Sequence, residues 1–112
     1  MIKFYICVIS CFLSFNVFAA CTTTNCSGIG KEVLLSIYPN ASGNVYLQVG
    51  EGREKLDCNL VEGHFMVLKP SHILFDEIYS TILTGLASQK KLIVRIKNGS
   101  PICEVSYVRM YM

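Results

Sequence analysis

The first twenty residues limit what this chain can fold into, because they have the pattern of a secretory signal peptide. One basic residue, Lys3, precedes an almost unbroken apolar run from residue 4 to residue 18, and Ala19 and Ala20 follow it. A short positive region, an apolar stretch and small residues at the end are the three parts of an export signal. We therefore predict a signal peptide at residues 1–19, a secreted or periplasmic protein, and a single domain at residues 20–112.

Two other interpretations of this segment are open on sequence alone. A membrane anchor needs about 20 apolar residues, whereas Asn16 interrupts this run and the chain turns polar over residues 22–27. A bacterial lipoprotein would be modified at Cys21, but such motifs usually have a leucine-like residue where this chain has Phe18. A cleaved signal peptide fits better than either, and we expect no membrane span after processing.

Four cysteines remain in the predicted domain once Cys7 and Cys11 leave with the signal peptide. They are Cys21, Cys26, Cys58 and Cys103. An even number of cysteines in an exported domain predicts disulfides, and four allow three connectivities. Cys21 and Cys26 flank a four-residue polar loop, which favours a local pair. The other two would then form a long-range bridge.

The charge balance argues against several classes of function. Without Lys3 the chain has nine basic and eight acidic residues, far from the dense basic footprint of a nucleic-acid-binding protein.

His64 and His72 have no Cys-x-x-Cys or His-x-x-x-His spacing near them, so we expect no metal and no cofactor. Neither histidine accompanies a nucleophile motif, so we expect no catalytic residues and no enzyme.

Hydrophobic alternation predicts a β-hairpin at the start of the domain. Residues 33–38 and 45–49 alternate as strands do, and the segment between them, 39–44, is rich in turn-forming residues. The side chains predicted to point inward are Val33, Leu35, Ile37, Val45, Leu47 and Val49, and those predicted outward are Tyr38, Tyr46 and Gln48.

The residue pattern in the rest of the domain predicts one helix and further strands. One or two short strands are predicted, with 56–61 and 64–68 as the candidate segments, and further strands are predicted within 92–97 and 102–110. Between these pairs, apolar residues recur at helical spacing from Phe75 to Leu86, with Ser71 as the predicted N-cap. Gly85 is expected to weaken the last full turn. Leu92, Val94 and Ile96 are predicted to point inward.

This order, five strands with one helix between the third and fourth, is that of the OB-fold, a small β-barrel. The sequence also resembles the OB-fold B subunits of bacterial AB5 toxins, in particular those of Shiga toxin and subtilase cytotoxin. The resemblance covers roughly residues 28–108. It rests on Gly30-Lys31-Glu32-Val33, on Asn44-Val45-Tyr46-Leu47-Gln48-Val49-Gly50, on Cys58, on the helix Phe75 to Leu86 and on Leu92-Ile93-Val94-Arg95-Ile96.

The resemblance implies a secreted, non-catalytic ring pentamer that binds a cell-surface glycan or glycoprotein, with an A-type toxin subunit as a possible partner. Subtilase-type B subunits bind sialic acid with a serine near the first strand and a tyrosine near the helix end. This chain has Ser27 and Ser36 near the first strand but Leu86-Ala87-Ser88 at the helix end. The missing aromatic residue argues against sialic-acid specificity.

The outward face of the hairpin is the predicted ligand-binding surface. Two tyrosine rings and an amide would lie together there, where a sugar can stack and its hydroxyls can form hydrogen bonds. The predicted ligand-binding residues are Tyr38, Tyr46, Gln48, Ser36 and Ser27. Two alternatives stay open: the same tyrosines could support the sheet or a subunit contact, and the protein could be a monomeric periplasmic or surface accessory protein or inhibitor.

Overall fold

A computed structural model describes residues 20–112, and the predicted signal peptide lies outside the described residues. The domain is mainly β, as predicted, with six strands and one α-helix. The elements are β1 (Asn25–Ile29), β2 (Leu34–Pro39), β3 (Val45–Val49), β4 (Phe65–Leu68), α1 (Phe75–Ala87), β5 (Lys91–Ile96) and β6 (Val105–Met110). Short 3-10 turns span Gly30–Glu32 and Arg53–Lys55.

The strands form two antiparallel sheets of three, in the orders β1-β5-β6 and β2-β3-β4. In the described part of the chain, strand pairing does not join them into one closed barrel. The sheets meet where β4 runs parallel to the residues before β6, and the Val67 N–H donates to the Cys103 carbonyl at 3.0 Å. The β1 and β2 strands lie in different sheets although only the turn at 30–32 and Val33 separate them.

The strand β1 is absent from the sequence-based prediction. Its residues, Asn-Cys-Ser-Gly-Ile, include two types that strands disfavour, Asn and Gly, and long-range pairing with β5 makes them extended. Because β1 precedes the predicted strands, α1 lies between the fourth and fifth strands of the chain and not between the third and fourth.

The predicted inward face of the first hairpin is correct for β3 and, in the first predicted strand, wrong at Leu35 only. Val45, Leu47, Val49 and Val33 are buried, and Ile37 packs against the core. Leu35 is 50% exposed, whereas its neighbour Leu34 is buried. A β-bulge between Leu34 and Ser36 shifts the register and reverses the side chains on either side of it.

Two further strand predictions need correction. Residues 56–61 make only isolated bridges, at Cys58 and Val61. The last strand begins at Val105 and not at residue 102, because Cys103 has a φ of 51°, a left-handed conformation that interrupts an extended chain.

The helix begins at Phe75, after Leu74 in the N-cap position, so Ser71 is not the cap. His72 takes that role in part: its Nδ1 accepts the Leu74 N–H at 3.0 Å, and its carbonyl accepts the Phe75 N–H at 3.0 Å. Gly85 is buried against Leu92 of β5, where a β-carbon would lie 2.5 Å from the leucine Cδ2. This glycine therefore allows the helix to approach the sheet closely.

The core lies between the inner faces of the two sheets and α1. The prediction that Leu92, Val94 and Ile96 point inward is confirmed, because all three are buried in it. Cys21 pairs with Cys26 at a Cα–Cα distance of 3.9 Å, and Cys58 pairs with Cys103 at 4.8 Å. The long-range bridge ties the segment before β4 to the segment before β6. No helix in residues 20–112 is long and apolar enough to span a bilayer.

Candidate functional site

Three aromatic rings meet on the outer face of the β2-β3-β4 sheet. The Tyr38 ring lies 5.1 Å from the Tyr46 ring and 5.3 Å from the Phe65 ring, the latter edge to face. Tyr46 and Phe65 are 5.8 Å apart. These distances are typical of favourable aromatic packing. The register explains the cluster, because Tyr38 is directly opposite Tyr46, while Phe65 is diagonal to Tyr46 on β4.

A polar pair continues this face along the same strands. The Ser36 hydroxyl donates to the Gln48 Oε1 at 2.8 Å, and the two residues are cross-strand partners. Phe65 is the β4 partner of Gln48. The Gln48 amide nitrogen keeps both of its hydrogens for another acceptor. We call Ser36, Tyr38, Tyr46, Gln48 and Phe65 together the aromatic face.

Tyr38 is the accessible part of the aromatic face. It is 41% exposed, whereas Tyr46 and Phe65 are half-buried. Burial against its neighbours, the charge of Glu62 and the hydroxyl of Tyr46 together raise the pKa of the Tyr38 phenol. Like an ordinary tyrosine, the phenol is protonated at neutral pH and can donate as well as accept a hydrogen bond.

The structure brings together four of the five predicted ligand-binding residues and separates one. Ser27 lies on β1, in the other sheet, opposite Ile93 of β5. This separation was not predictable, because the residues of β1 do not have a strand pattern. Sequence reasoning also missed Phe65 and Glu62. The four residues of β4 are all apolar, so no alternation marks Phe65 as outward, and Glu62 lies in an irregular loop whose path depends on tertiary contacts.

The two histidines differ in their surroundings, and only His72 has a structural role. His72 donates from Nε2 to the Ser106 carbonyl at 2.7 Å while its Nδ1 accepts the Leu74 N–H, so both ring nitrogens are engaged. His64 is exposed beside Phe65, with its ring 6.2 Å away. With both of its nitrogens bonded, His72 has no free atom with which to take a proton from a substrate.

A small cleft beside His72 contains one carboxylate and two lysines. The Lys69 Nζ lies 2.5 Å from one Glu104 oxygen, and the Lys97 Nζ lies 3.2 Å from the other. The bond from Lys69, with help from Lys97, lowers the pKa of the Glu104 carboxyl. All three charges are used within the protein, and the cleft lies at the seam between β4 and β6.

No cluster of three or more histidine, cysteine, aspartate or glutamate side chains in residues 20–112 is arranged to hold a metal ion. No family model, curated protein or solved structure matches this chain. The aromatic face is thus the candidate site on which the functional argument rests.

Proposed function

We propose that this chain is an exported, non-catalytic binding protein of the AB5 B-subunit type, which recognises a cell-surface glycan or glycoprotein as a ring oligomer. The observation that carries the proposal is the aromatic face. It combines an accessible tyrosine ring, two rings that pack against it, and an amide and a hydroxyl that can bond sugar hydroxyls. Two disulfides in a small domain support export, since such bonds persist in oxidising compartments.

The strand connections support an OB-fold. In this interpretation β1 and β2 are the two halves of one bent strand, interrupted by the turn at 30–32, and each half pairs with a different sheet. The parallel contact between Val67 and Glu104 then joins the third and fifth strands of the fold. Counted in this way, the helix follows the third OB strand.

Open strand edges and exposed apolar side chains support assembly with further copies. Within residues 20–112, β2 pairs only with β3, so its other edge can accept another strand. Ile73, just before α1, is 92% exposed, and Leu74 and Leu83 are exposed near it in the chain. Burial of these side chains against a second copy would remove apolar surface from water. An A-type toxin subunit is a further partner that this assembly could bind.

The proposal is tested with mature protein, purified from an oxidising periplasm, on an array of neutral glycans. We expect binding that Tyr38→Ala abolishes, because the substitution removes the accessible ring and leaves the sheet intact. Tyr107→Ala is the matched control, since Tyr107 is 45% exposed on the other sheet. Absence of any bound glycan, or an equal loss in both variants, would contradict the proposal.

Light scattering tests the assembly separately. We expect a ring oligomer for the wild type and for Tyr38→Ala. A monomeric wild type would favour the accessory or inhibitor function instead. A shift to monomer in Tyr46→Ala with unchanged disulfides would assign the aromatic face to the subunit contact and not to a ligand.

A further inference from the structure

The outer face of the other sheet carries cations and tyrosines in alternation. On β5, Lys91 and Arg95 point away from the core, as Tyr107 and Arg109 do on β6. Arg95 is directly opposite Tyr107, and the Tyr111 N–H donates to the Lys91 carbonyl at 2.9 Å. Each tyrosine ring thus lies opposite a cation on the neighbouring strand. We call these five residues the basic face.

The tyrosines hold the cations in place. The Arg95 guanidinium lies 5.8 Å from the Tyr107 ring centre, and Lys91 lies 5.3 Å from that of Tyr111. Arg109 is 5.9 Å from the Tyr111 ring and also donates from Nη1 to its hydroxyl at 3.4 Å. Such contacts restrict long side chains that would otherwise be mobile, so less freedom is lost when an anion binds.

No carboxylate neutralises these cations in the described part of the chain. The salt bridges there involve Lys69 and Lys97 with Glu104, at the seam between the sheets. The carboxylate of Glu32 lies at one corner, where it accepts the Ile29 N–H at 3.2 Å beside Lys91. Arg95 and Arg109 are therefore the centre of an unbalanced positive surface in a chain of nearly neutral net charge.

Strand β1 adds uncharged polar groups to this outer face, and helix α1 does not cover it. Asn25 and Ser27 of β1 are the cross-strand neighbours of Arg95 and Ile93. The helix packs on the inner side of the sheet, with Gly85 against Leu92. The outer face of β1-β5-β6 thus has three cations, two tyrosine rings, a hydroxyl and an amide. It also has two apolar side chains, Ile93 between Lys91 and Arg95 on β5 and the exposed Ile29 of β1.

We propose that this basic face binds a sulfated polysaccharide, with Arg95 and Arg109 as the principal ligands of its sulfate groups. Lys91 and Arg95 are four residues apart on one strand, about 13 Å, and Arg109 lies between them on the next strand. A ligand with anionic groups repeated along an extended chain fits this spacing, whereas a single carboxylate would engage only one cation. Guanidinium groups also match the paired oxygens of a sulfate.

Other polyanions fit the surface less well. Nucleic acid would stack its bases on aromatic rings, but here the rings are engaged by cations. A membrane-binding segment typically has about four to eight clustered basic residues, and this face has three. The polysaccharide interpretation rests on the export proposed above, which would bring the protein to surfaces that carry such chains, but it involves a different face from the aromatic one.

The test is calorimetric titration of the periplasmic protein with a heparin-derived oligosaccharide. We expect binding that weakens as salt increases and that falls about tenfold or more in Arg95→Gln/Arg109→Gln, since two charge-assisted contacts are lost. The matched control, Lys31→Gln/Lys55→Gln, removes the same charge from exposed positions in the two 3-10 turns. It should retain affinity within about twofold.

Three comparisons make the test decisive. Desulfated heparin should bind much more weakly than heparin, and Tyr38→Ala should bind heparin as the wild type does. Absence of heparin binding, or an equal loss in the two double variants, would overturn the proposal. Equal or tighter binding of single-stranded DNA of matched charge, or of phosphatidylserine vesicles, would assign the face to that partner instead. Circular dichroism and intact mass confirm that each variant is folded with both disulfides.

Discussion

The two outer sheet faces contain the same residue type and use it in opposite ways. On the aromatic face, Tyr38 and Tyr46 pack against each other and against Phe65. On the basic face, Tyr107 and Tyr111 are too far along their strand to pair and instead hold cations. The difference shows that a tyrosine's role in a sheet is decided by its cross-strand neighbour, which the register sets.

The charges near the rings make the two faces complementary to different ligands. Glu62 is the charge that influences Tyr38, so that face is suited to the hydroxyl groups of neutral sugars. Arg95 and Arg109 have no acidic partner in the described residues, so the basic face is suited to anions. One small core therefore supports two surfaces of distinct chemistry.

The largest expected effect comes from the bridge that holds the two sheets together at their seam. The double variant Cys58→Ala/Cys103→Ala opens a loop closed by residues 45 positions apart. On the chain-entropy model, this lowers the free energy of unfolding by about 4 kcal/mol. Cys21→Ala/Cys26→Ala opens a separation of only five residues and should cost about 2 kcal/mol. Urea unfolding of both double variants measures this order. A larger loss for the short loop would mean that burial of Cys21 and Cys26, and not loop closure, dominates.

The substitution Gly85→Ala tests how closely α1 packs on the inner side of the sheet that carries the basic face. We expect a loss of about 1–3 kcal/mol, because the added β-carbon would overlap Leu92, the inner neighbour of Lys91 and Ile93 on β5. Helix propensity alone predicts the opposite, a gain of about 1 kcal/mol. Ser80→Ala, at an exposed helix position, is the control and should be neutral or slightly stabilising. Thermal unfolding that places Gly85→Ala above the wild type would contradict the close packing of α1 on β5.

Clean alternation made β3 and β5 predictable, and with them the inward core residues and the outward Tyr46 and Gln48. The β-bulge in β2 was not predictable, since Val33-Leu34-Leu35 offers two apolar phases and only pairing with β3 selects one. The strand β1 was missed for a similar reason: its residues favour turns, and β5 makes them extended. The basic face depends on that register, so Arg95 and Arg109 could not be grouped from sequence.

The contribution of Glu104 to stability, measured as a function of pH, tests the electrostatic interactions at the seam between the two sheets. Lys69 and Lys97 lower the pKa of its carboxyl, so its stabilising contribution is present above the ordinary carboxyl pKa of about 4.3. That contribution disappears as pH falls through the lower pKa of the folded state. Glu104→Gln should cost about 1 kcal/mol near pH 7, and the cost should shrink progressively as the pH is lowered below about 4. Glu54→Gln, exposed in the second 3-10 turn, should show no such difference in urea unfolding at the two pH values.

The smallest expected effect concerns how Tyr111 supports the basic face. Tyr111→Ala removes the ring beside Lys91 and Arg109 and should weaken heparin binding about threefold. Tyr111→Phe keeps the ring and loses only the hydroxyl that Arg109 contacts, so the affinity should fall less. Calorimetry on both variants separates these contributions, and an equal loss would assign the effect to the hydroxyl.

The claim that one domain carries two separate binding faces is tested most directly by an NMR titration of isotope-labelled mature protein. Heparin oligosaccharide should shift the amide signals of Asn25–Ile29, Lys91–Ile96 and Val105–Met110. A neutral glycan selected on the array should shift those of Leu34–Pro39, Val45–Val49 and Phe65–Leu68 instead. Two largely disjoint sets of shifted residues are the predicted result. Shifts from both ligands on the same sheet, or no shifts on either, would contradict the account.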